Sequence, residues 1–427
     1  MSTSTTAILI INISLAAFLA VGLTPLFVWW ERRISAFMQD RTGPNRCNIG
    51  PLRLGGLIQS FADMLKLIFK EDFTPAHIKY KFLFSIAPAL VFICSFLTFA
   101  TIPFADNLVI DGKAHIMQAV PNELGIMWFL AFAGLSIYGI ILGGYSSNSK
   151  YGLLGSIRAA AQVISYEAAM VLAVISMILS YGSIHLTDIV NAQQGTFFGI
   201  IPMWGIFIQP IAAIIFIVCS FAETNRAPFD IAEGESEIVA GYHTEYSAMR
   251  FGLFQVGEYA AMSASAAIIV TLFFGGYQIP WLSTAEVQSN MNYIMMAIIV
   301  LLPLKVFFFV KWMKKNNRSK DSDTSRDKET KILTIAFSLI AFVVVALLVL
   351  FLTTGLGSNG VNIATAVLQI GTFLVKFFMM AFVYIWVRWT VLRFRYDQLQ
   401  MLGWKVLLPL ALLNIVVTAT FIVVQGS

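Results

Sequence analysis

The chain has 427 residues, 58% of them hydrophobic and only 12% charged, with a mean hydropathy of +0.79. That composition excludes a soluble globular protein and fits a polytopic membrane protein with too little polar sequence left for a separate soluble domain. The net charge of +5 does not mark a nucleic-acid binder, because the basic residues form no dedicated domain or stripe.

A bilayer-spanning helix needs roughly 20 mostly apolar residues. Ten stretches qualify, near 7–30, 82–103, 124–144, 160–180, 203–221, 252–275, 292–312, 332–353, 365–388 and 405–424. The expected fold is all-α: a single membrane domain over 1–427 with about ten transmembrane helices. Of 28 Lys and Arg, Lys305 and Lys376 fall inside spans, and Lys113 alone lies in a loop after an even-numbered span. The positive-inside rule then puts both termini outside and the odd-numbered loops in the cytoplasm. The uncharged start lacks the basic region of a cleavable signal peptide.

The first cytoplasmic loop, 31–81, reads as irregular chain over 31–55, rich in Gly, Pro and Arg. An amphipathic helix is expected over 57–70, with Leu57, Phe61, Met64, Leu65 and Ile68 on one face and Asp63, Lys66 and Lys70 on another. It is too short and too charged to span and should lie in the interface. The alternative is a surface helix that only anchors the loop.

Ionisable residues inside spans are functional candidates, because burying them is costly without a partner. Glu167 follows Arg158 by nine residues and Glu258 follows Arg250 by eight, which puts both about 12–13 Å along their helices, at matched depth. Buried carboxylates so placed suit proton or charge relay. The alternative is a structural acid in each case, satisfied by Ser165 and Tyr166 beside Glu167 and by Tyr259 beside Glu258. Lys376 stands near the middle of span nine. Lys305 lies close to a span end and is expected to snorkel.

The segment 222–250 is the densest polar stretch. From Glu223 to Arg250 it holds six carboxylates, Glu223, Asp230, Glu233, Glu235, Glu237 and Glu245, with Arg226 and Arg250. The alternation of Glu233, Glu235 and Glu237 suits neither one helix face nor an EF-hand loop. Such a cluster can bind cations, dock a basic partner or feed protons inward. Arg226, Pro228 and Phe229 could cradle a flat polar headgroup. A mixed charge run, 311–331, reads as a solvated loop. Cys47, Cys94 and Cys219 form no CxxC pair, the four histidines are scattered, and no dinucleotide fingerprint is present. Any electron carriers are expected on partners.

The strings Ala222-Glu-Thr-Asn-Arg-Ala-Pro-Phe-Asp230, Glu233-Gly-Glu-Ser-Glu237 and Gly241-Tyr-His-Thr-Glu-Tyr246 resemble the signature of the quinone-proximal membrane subunit family of respiratory complex I, the H subunits of NADH-quinone oxidoreductases. Glu31-Arg-Arg, Gln39-Asp-Arg-Thr-Gly-Pro-Asn-Arg46, Phe61-Ala-Asp-Met-Leu-Lys-Leu67, Gly155-Ser-Ile-Arg158, Ala161-Gln-Val-Ile-Ser-Tyr-Glu167 and Arg393-Phe-Arg-Tyr-Asp397 are similar to it as well. The family has eight spans, so residues 285–360 would be an inserted two-helix hairpin carrying the charged loop.

The resemblance implies a subunit of a proton-pumping translocase in a bacterial inner membrane, with no complete active site of its own. Quinone would be the substrate, and FMN and iron–sulfur clusters would sit on other subunits. Partners would be the peripheral quinone-site and iron–sulfur subunits, small and antiporter-like membrane subunits, and lipid. Arg32, Asp63, Arg226 and Phe229 would line the quinone chamber. Glu167, Glu223, Glu233, Glu235 and Glu258 would couple quinone reduction to proton translocation. Two other activities stay open: the homologous membrane subunit of a proton-reducing hydrogenase, against which the Arg-Ala-Pro-Phe-Asp and Gly-Tyr-His-Thr-Glu-Tyr strings speak, and a free-standing transporter, which should show internal repeats and broken helices.

Overall fold

The structure, a computed structural model, describes residues 3–122, 124–197, 199–316 and 324–426. It is all-α apart from two short β-hairpins. Among the described residues nine helices are long and apolar enough to cross a membrane.

The first span joins α1 (Thr3–Ala17) to α2 (Thr24–Met38) through a π-helical turn, Phe18–Gly22. It continues well past the apolar run: Glu31, Arg32 and Arg33 are helical, where the sequence pattern implied irregular chain. The charged residues are accommodated because Glu31 turns into the protein, where it is buried, while Arg32 is exposed. The amphipathic helix forms as α3 (Ile58–Phe69). Ile58 and Ser60 are buried against the protein, and Phe61, Met64, Leu65 and Ile68 point away from it, exposed.

Then come α4 (Lys81–Leu97), the antiparallel strands β1 (Leu108–Ile110) and β2 (Lys113–His115), α5 (Gly125–Ser146) and α6 (Lys150–Tyr181). Helix α7 (Leu186–Ala192) and the strands β3 (Thr196–Phe197) and β4 (Ile201–Pro202) follow. The fifth expected span is interrupted. A single turn, α8 (Gly205–Ile208), precedes α9 (Pro210–Glu223), which is shorter than the other spans. Pro210 has no N–H to continue α8, so the chain breaks at Gln209. The Gln209 side chain donates to Ser180 Oγ (2.9 Å) and Thr418 Oγ1 (2.9 Å) and accepts from Asn414 Nδ2 (3.1 Å). Those bonds satisfy a polar break inside an apolar bundle.

After the short α10 (Glu235–Ile238) comes α11 (Ala248–Phe273), the most enclosed helix, with 83% of its apolar window buried. Its stretch Ala260, Ser263, Ala264, Ser265, Ala266 and Ala267 is small, which lets neighbouring backbones approach closely. Helix α12 (Thr284–Ser289) is held by a capping box: Glu286 N donates to Ser283 Oγ, and Ser283 N donates to Glu286 Oε2.

Helices α13 (Met291–Asn316) and α14 (Thr324–Thr354) pack against each other as a hairpin, with 6% and 0% of their apolar windows buried. The run 311–331 is not loop throughout: 311–316 and 324–331 extend the two helices, and 317–323 lie outside the described residues. The chain closes with α15 (Ser358–Thr390), α16 (Tyr396–Met401), a π-helical stretch Leu402–Leu407 and α17 (Leu408–Gly426). The main core packs α1, α2, α6, α9, α11, α15 and α17 around Phe27, Met170, Phe216 and Phe273.

Candidate functional site

The acidic segment after α9 folds back onto α6 rather than extending into solvent. Gln162, buried on α6, donates through Nε2 to Ala222 O (2.6 Å), Phe229 O (2.8 Å) and Asn225 Oδ1 (3.2 Å). Gly241 has φ +59°, and a Cβ there would lie 1.9 Å from Ala232 O. Only glycine permits that turn and that contact. Phe229 is buried, set edge-on to Tyr166 at 5.4 Å and stacked on Phe394 at 5.3 Å. Its ring anchors the segment between α6 and the chain after α15.

Glu31 forms the charged centre of the next layer. It is buried, and its Oε1 meets Arg388 at 2.5 Å. Its Oε2 accepts from Tyr259 Oη at 2.8 Å and meets Arg226 at 3.3 Å. The Arg226 guanidinium, itself buried, lies over the Tyr259 ring at 4.0 Å. One carboxylate therefore holds two arginines brought by the loop and by α15. A buried ionic group persists only when paired and hydrogen-bonded in this way.

Beside it the carboxyls of Glu233 and Glu258 hydrogen-bond each other. Tyr242 donates to Glu258 Oε1 at 2.7 Å, and His243 Nδ1 lies 3.6 Å from Glu233 Oε1. Burial, with Asp230 nearby, pushes the Glu233 carboxyl up to about 7. Burial also raises Asp230, to about 6, although Arg393 pairs with it at 2.8 Å and pulls the other way. Both groups thus exchange protons near neutral pH. Glu235 opens α10; its side chain lies outside the described residues. Glu237 instead pairs outward with Arg158 at 2.7 Å.

Glu223 and Glu167 make a second pair deeper in the bundle, close enough to interact electrostatically. Glu167 sits against Gly134 on α5, where a Cβ would lie 2.7 Å from its Oε1. Glu223 Oε2 is buried without a hydrogen-bond partner. It borders a cavity of about 20 Å³ lined by Ser95, Thr98, Ser136 and Ser265. That is room for about one water among several hydroxyls.

Lys376 has a structural task. Its Nζ donates to Phe274 O (2.8 Å), Gly276 O (3.0 Å) and Gln278 O (2.7 Å) and lies 4.8 Å from the Trp204 ring centroid. All three of its N–H bonds are used to hold carbonyls of the turn that follows α11.

Arg32 and Asp63 pair across α2 and α3, and Gln59 Nε2 donates to Asp63 Oδ1 at 3.0 Å. The pair borders an open groove of about 460 Å³ that also takes in Lys66, Lys70, Tyr246 and Phe251.

The sequence candidates therefore separate into three places. Arg32 and Asp63 meet at the groove. Arg226, Glu233 and Glu258 meet at the buried charge layer, with Phe229 anchoring their loop. Glu167 and Glu223 meet deeper. Glu31, Asp230, Tyr242, Tyr259, Arg388 and Arg393 were missed as site residues. A signal for Glu31 existed: it adjoins an apolar run at helical spacing from Phe27 and Ile34, so a continued helix would turn it inward.

These features define a class: an all-α, multi-pass membrane protein whose buried carboxylates and arginines gather at one end of the bundle beneath a surface amphipathic helix. The NADH dehydrogenase family profile matches residues 10–321 and 331–419, and the chain belongs to that family. It is 39% identical over 419 residues to an H subunit of the NADH-quinone oxidoreductase of Geobacter metallireducens, covering 98% of each chain. With the H subunit of the same enzyme in Salinibacter ruber it is 38% identical over 418 residues, covering 97% of each. With the H subunit in Flavobacterium psychrophilum it shares 37% over 390 residues, 91% of this chain and 90% of that one.

Proposed function

We propose that this chain is the quinone-facing membrane subunit of a proton-pumping NADH-quinone oxidoreductase. The observation that carries the reading is the placement of the Arg32–Asp63 pair: it borders a ligand-sized groove beside an amphipathic helix whose apolar face is exposed. An isoprenoid tail would enter from the lipid beside α3. Asp63 and Arg32 would orient the headgroup at the mouth. Both termini would lie outside, with the charged layer on the cytoplasmic side.

FMN and iron–sulfur clusters would belong to the peripheral partners. Cys47, Cys94 and Cys219 are free and lie apart, and among the described residues no three His, Cys, Asp or Glu side chains converge as metal ligands. The described residues therefore offer no donor set for a cluster. Reduction of quinone to quinol takes up two electrons from such a partner and two protons. Glu233 and Asp230, titrating near neutral, are suited to supply or sense those protons. The Glu233–Glu258 contact would relay the charge change inward, toward Glu223 and Glu167.

The test is made on the assembled complex in membranes. Asp63→Ala should lower inhibitor-sensitive quinone reduction at least about tenfold, since misplacing a bound substrate by an ångström can cost more than that. Glu167→Gln should impair proton pumping. Unchanged reduction and pumping in both variants would remove the basis for this reading.

A further inference from the structure

The α13–α14 hairpin carries a groove of its own, apart from the charge layers and from the Arg32–Asp63 groove. It has a volume of about 610 Å³ and is formed between the two helices alone. On α13 its lining runs from Pro303 to Lys314, and on α14 from Thr334 to Val345. Each run covers eleven residue steps, or about 16 Å at 1.5 Å per residue. That matches one leaflet of a hydrocarbon core about 30 Å thick.

The chemistry along the groove is graded. The deep end, at Pro303 and Val345, is apolar, with Ala341 and Phe342 on the wall. At the other end stand Lys311 and Lys314, both exposed and without a carboxylate partner among the described residues. Opposite them is Thr334, whose Oγ1 is buried with no hydrogen-bond partner. A helical threonine hydroxyl ordinarily bonds a carbonyl in the preceding turn. This one is left free at the depth where a glycerol ester would lie.

We infer that the hairpin groove binds one anionic phospholipid of the leaflet on its basic side. One acyl chain lies between α13 and α14, the phosphate meets Lys311 and Lys314, and Thr334 donates to an ester oxygen. Charge complementarity selects this occupant: a quinone headgroup is neutral and would leave both ammonium groups unmatched. The mostly exposed outer surface of the hairpin fits a lipid environment around it.

The experiment uses the full chain within its complex, delipidated in mild detergent and titrated with phosphatidylglycerol or phosphatidylcholine, with bound lipid counted by native mass spectrometry. The unmodified protein should retain phosphatidylglycerol that phosphatidylcholine does not displace. Lys311→Gln with Lys314→Gln should weaken retention at least about tenfold through loss of two phosphate contacts. Ala341→Phe, which fills the slot and leaves the lysines in place, should also lose the lipid. Unchanged retention in both variants would overturn the inference, as would equal retention of phosphatidylcholine. A photo-crosslinker at Phe342 that captures a protein subunit or quinone in place of phospholipid would overturn it too. Quinone reduction is not the readout, so the outcome is independent of the function proposed above.

Discussion

Glu31 shows how one residue can organise several helices. It comes from α2, yet its two oxygens collect Arg388 from α15, Arg226 from the loop and Tyr259 from α11. Two guanidinium groups against one carboxylate leave net positive charge there, and Glu233 and Glu258 lie beside it. Those two acids would ordinarily ionise well below neutral, but Glu233 keeps its proton to about 7. The folded state binds this proton between the ordinary value of 4.5 and about 7, and the unfolded chain does not. Stability contributed by the protonated group is complete below the ordinary value and declines as pH rises through that window. Glu233→Gln, always neutral, should therefore gain thermal stability over the parent as pH rises from about 5 to 7, then hold a constant lead. Thermal scans of both proteins in detergent read this directly. A lead that stays constant over that range would mean that Glu233 is already ionised when folded.

At the scale of elements, the hairpin is tied to the rest of the chain through a carboxylate. Glu329 on α14 is buried and accepts from the backbone N–H of Arg53 (3.0 Å) and Leu54 (2.7 Å). Trp29 Nε1 donates to Gly55 O at 3.0 Å in the next turn of chain, just before α3. The hairpin thus steadies the segment that leads into the amphipathic helix. Glu329→Ala would leave two backbone donors without their acceptor, a cost of about 1–3 kcal/mol at that site. Amide exchange of a peptide spanning 50–58 should quicken about tenfold or more, while Glu329→Gln, which keeps an acceptor, should change it little. Equal exchange in all three proteins would show that the contact holds nothing. The apolar periodicity of α3 was legible over 57–70 and the structure forms it as Ile58–Phe69. The clamp was not, because Glu329 lies in a run whose composition resembles an ordinary solvated loop. Its partners are backbone groups some 275 residues away.

Across the whole molecule, burial divides the spans into two populations. Helix α11 is enclosed, whereas α13 and α14 scarcely contribute to the core. They also enter and leave on one side, so their loss preserves the topology of everything after them. Replacing 291–354 by a short flexible Gly/Ser linker should leave a chain that inserts and keeps the Glu31 layer protected from protease. It should lose the Glu329 clamp and the hairpin lipid. Failure to insert would make the hairpin part of the folding core.

Read along the chain alone, the residues carried the class, the set of apolar spans, the amphipathic helix and the density of acids after α9. Hydropathy and helical periodicity are properties of neighbouring residues, so they survive without a fold. The same reading pointed to the family through strings distributed along most of the chain. Folding settled what those residues do to one another. It turned Glu31 inward to pair with two arginines, assigned Lys376 to holding the turn after α11, broke at Gln209 the span that looked continuous, and placed Phe229 between Tyr166 and Phe394. Each of these outcomes depends on which groups from distant parts of the chain arrive in a low-dielectric interior together. Charge there is tolerated only with its partners in place.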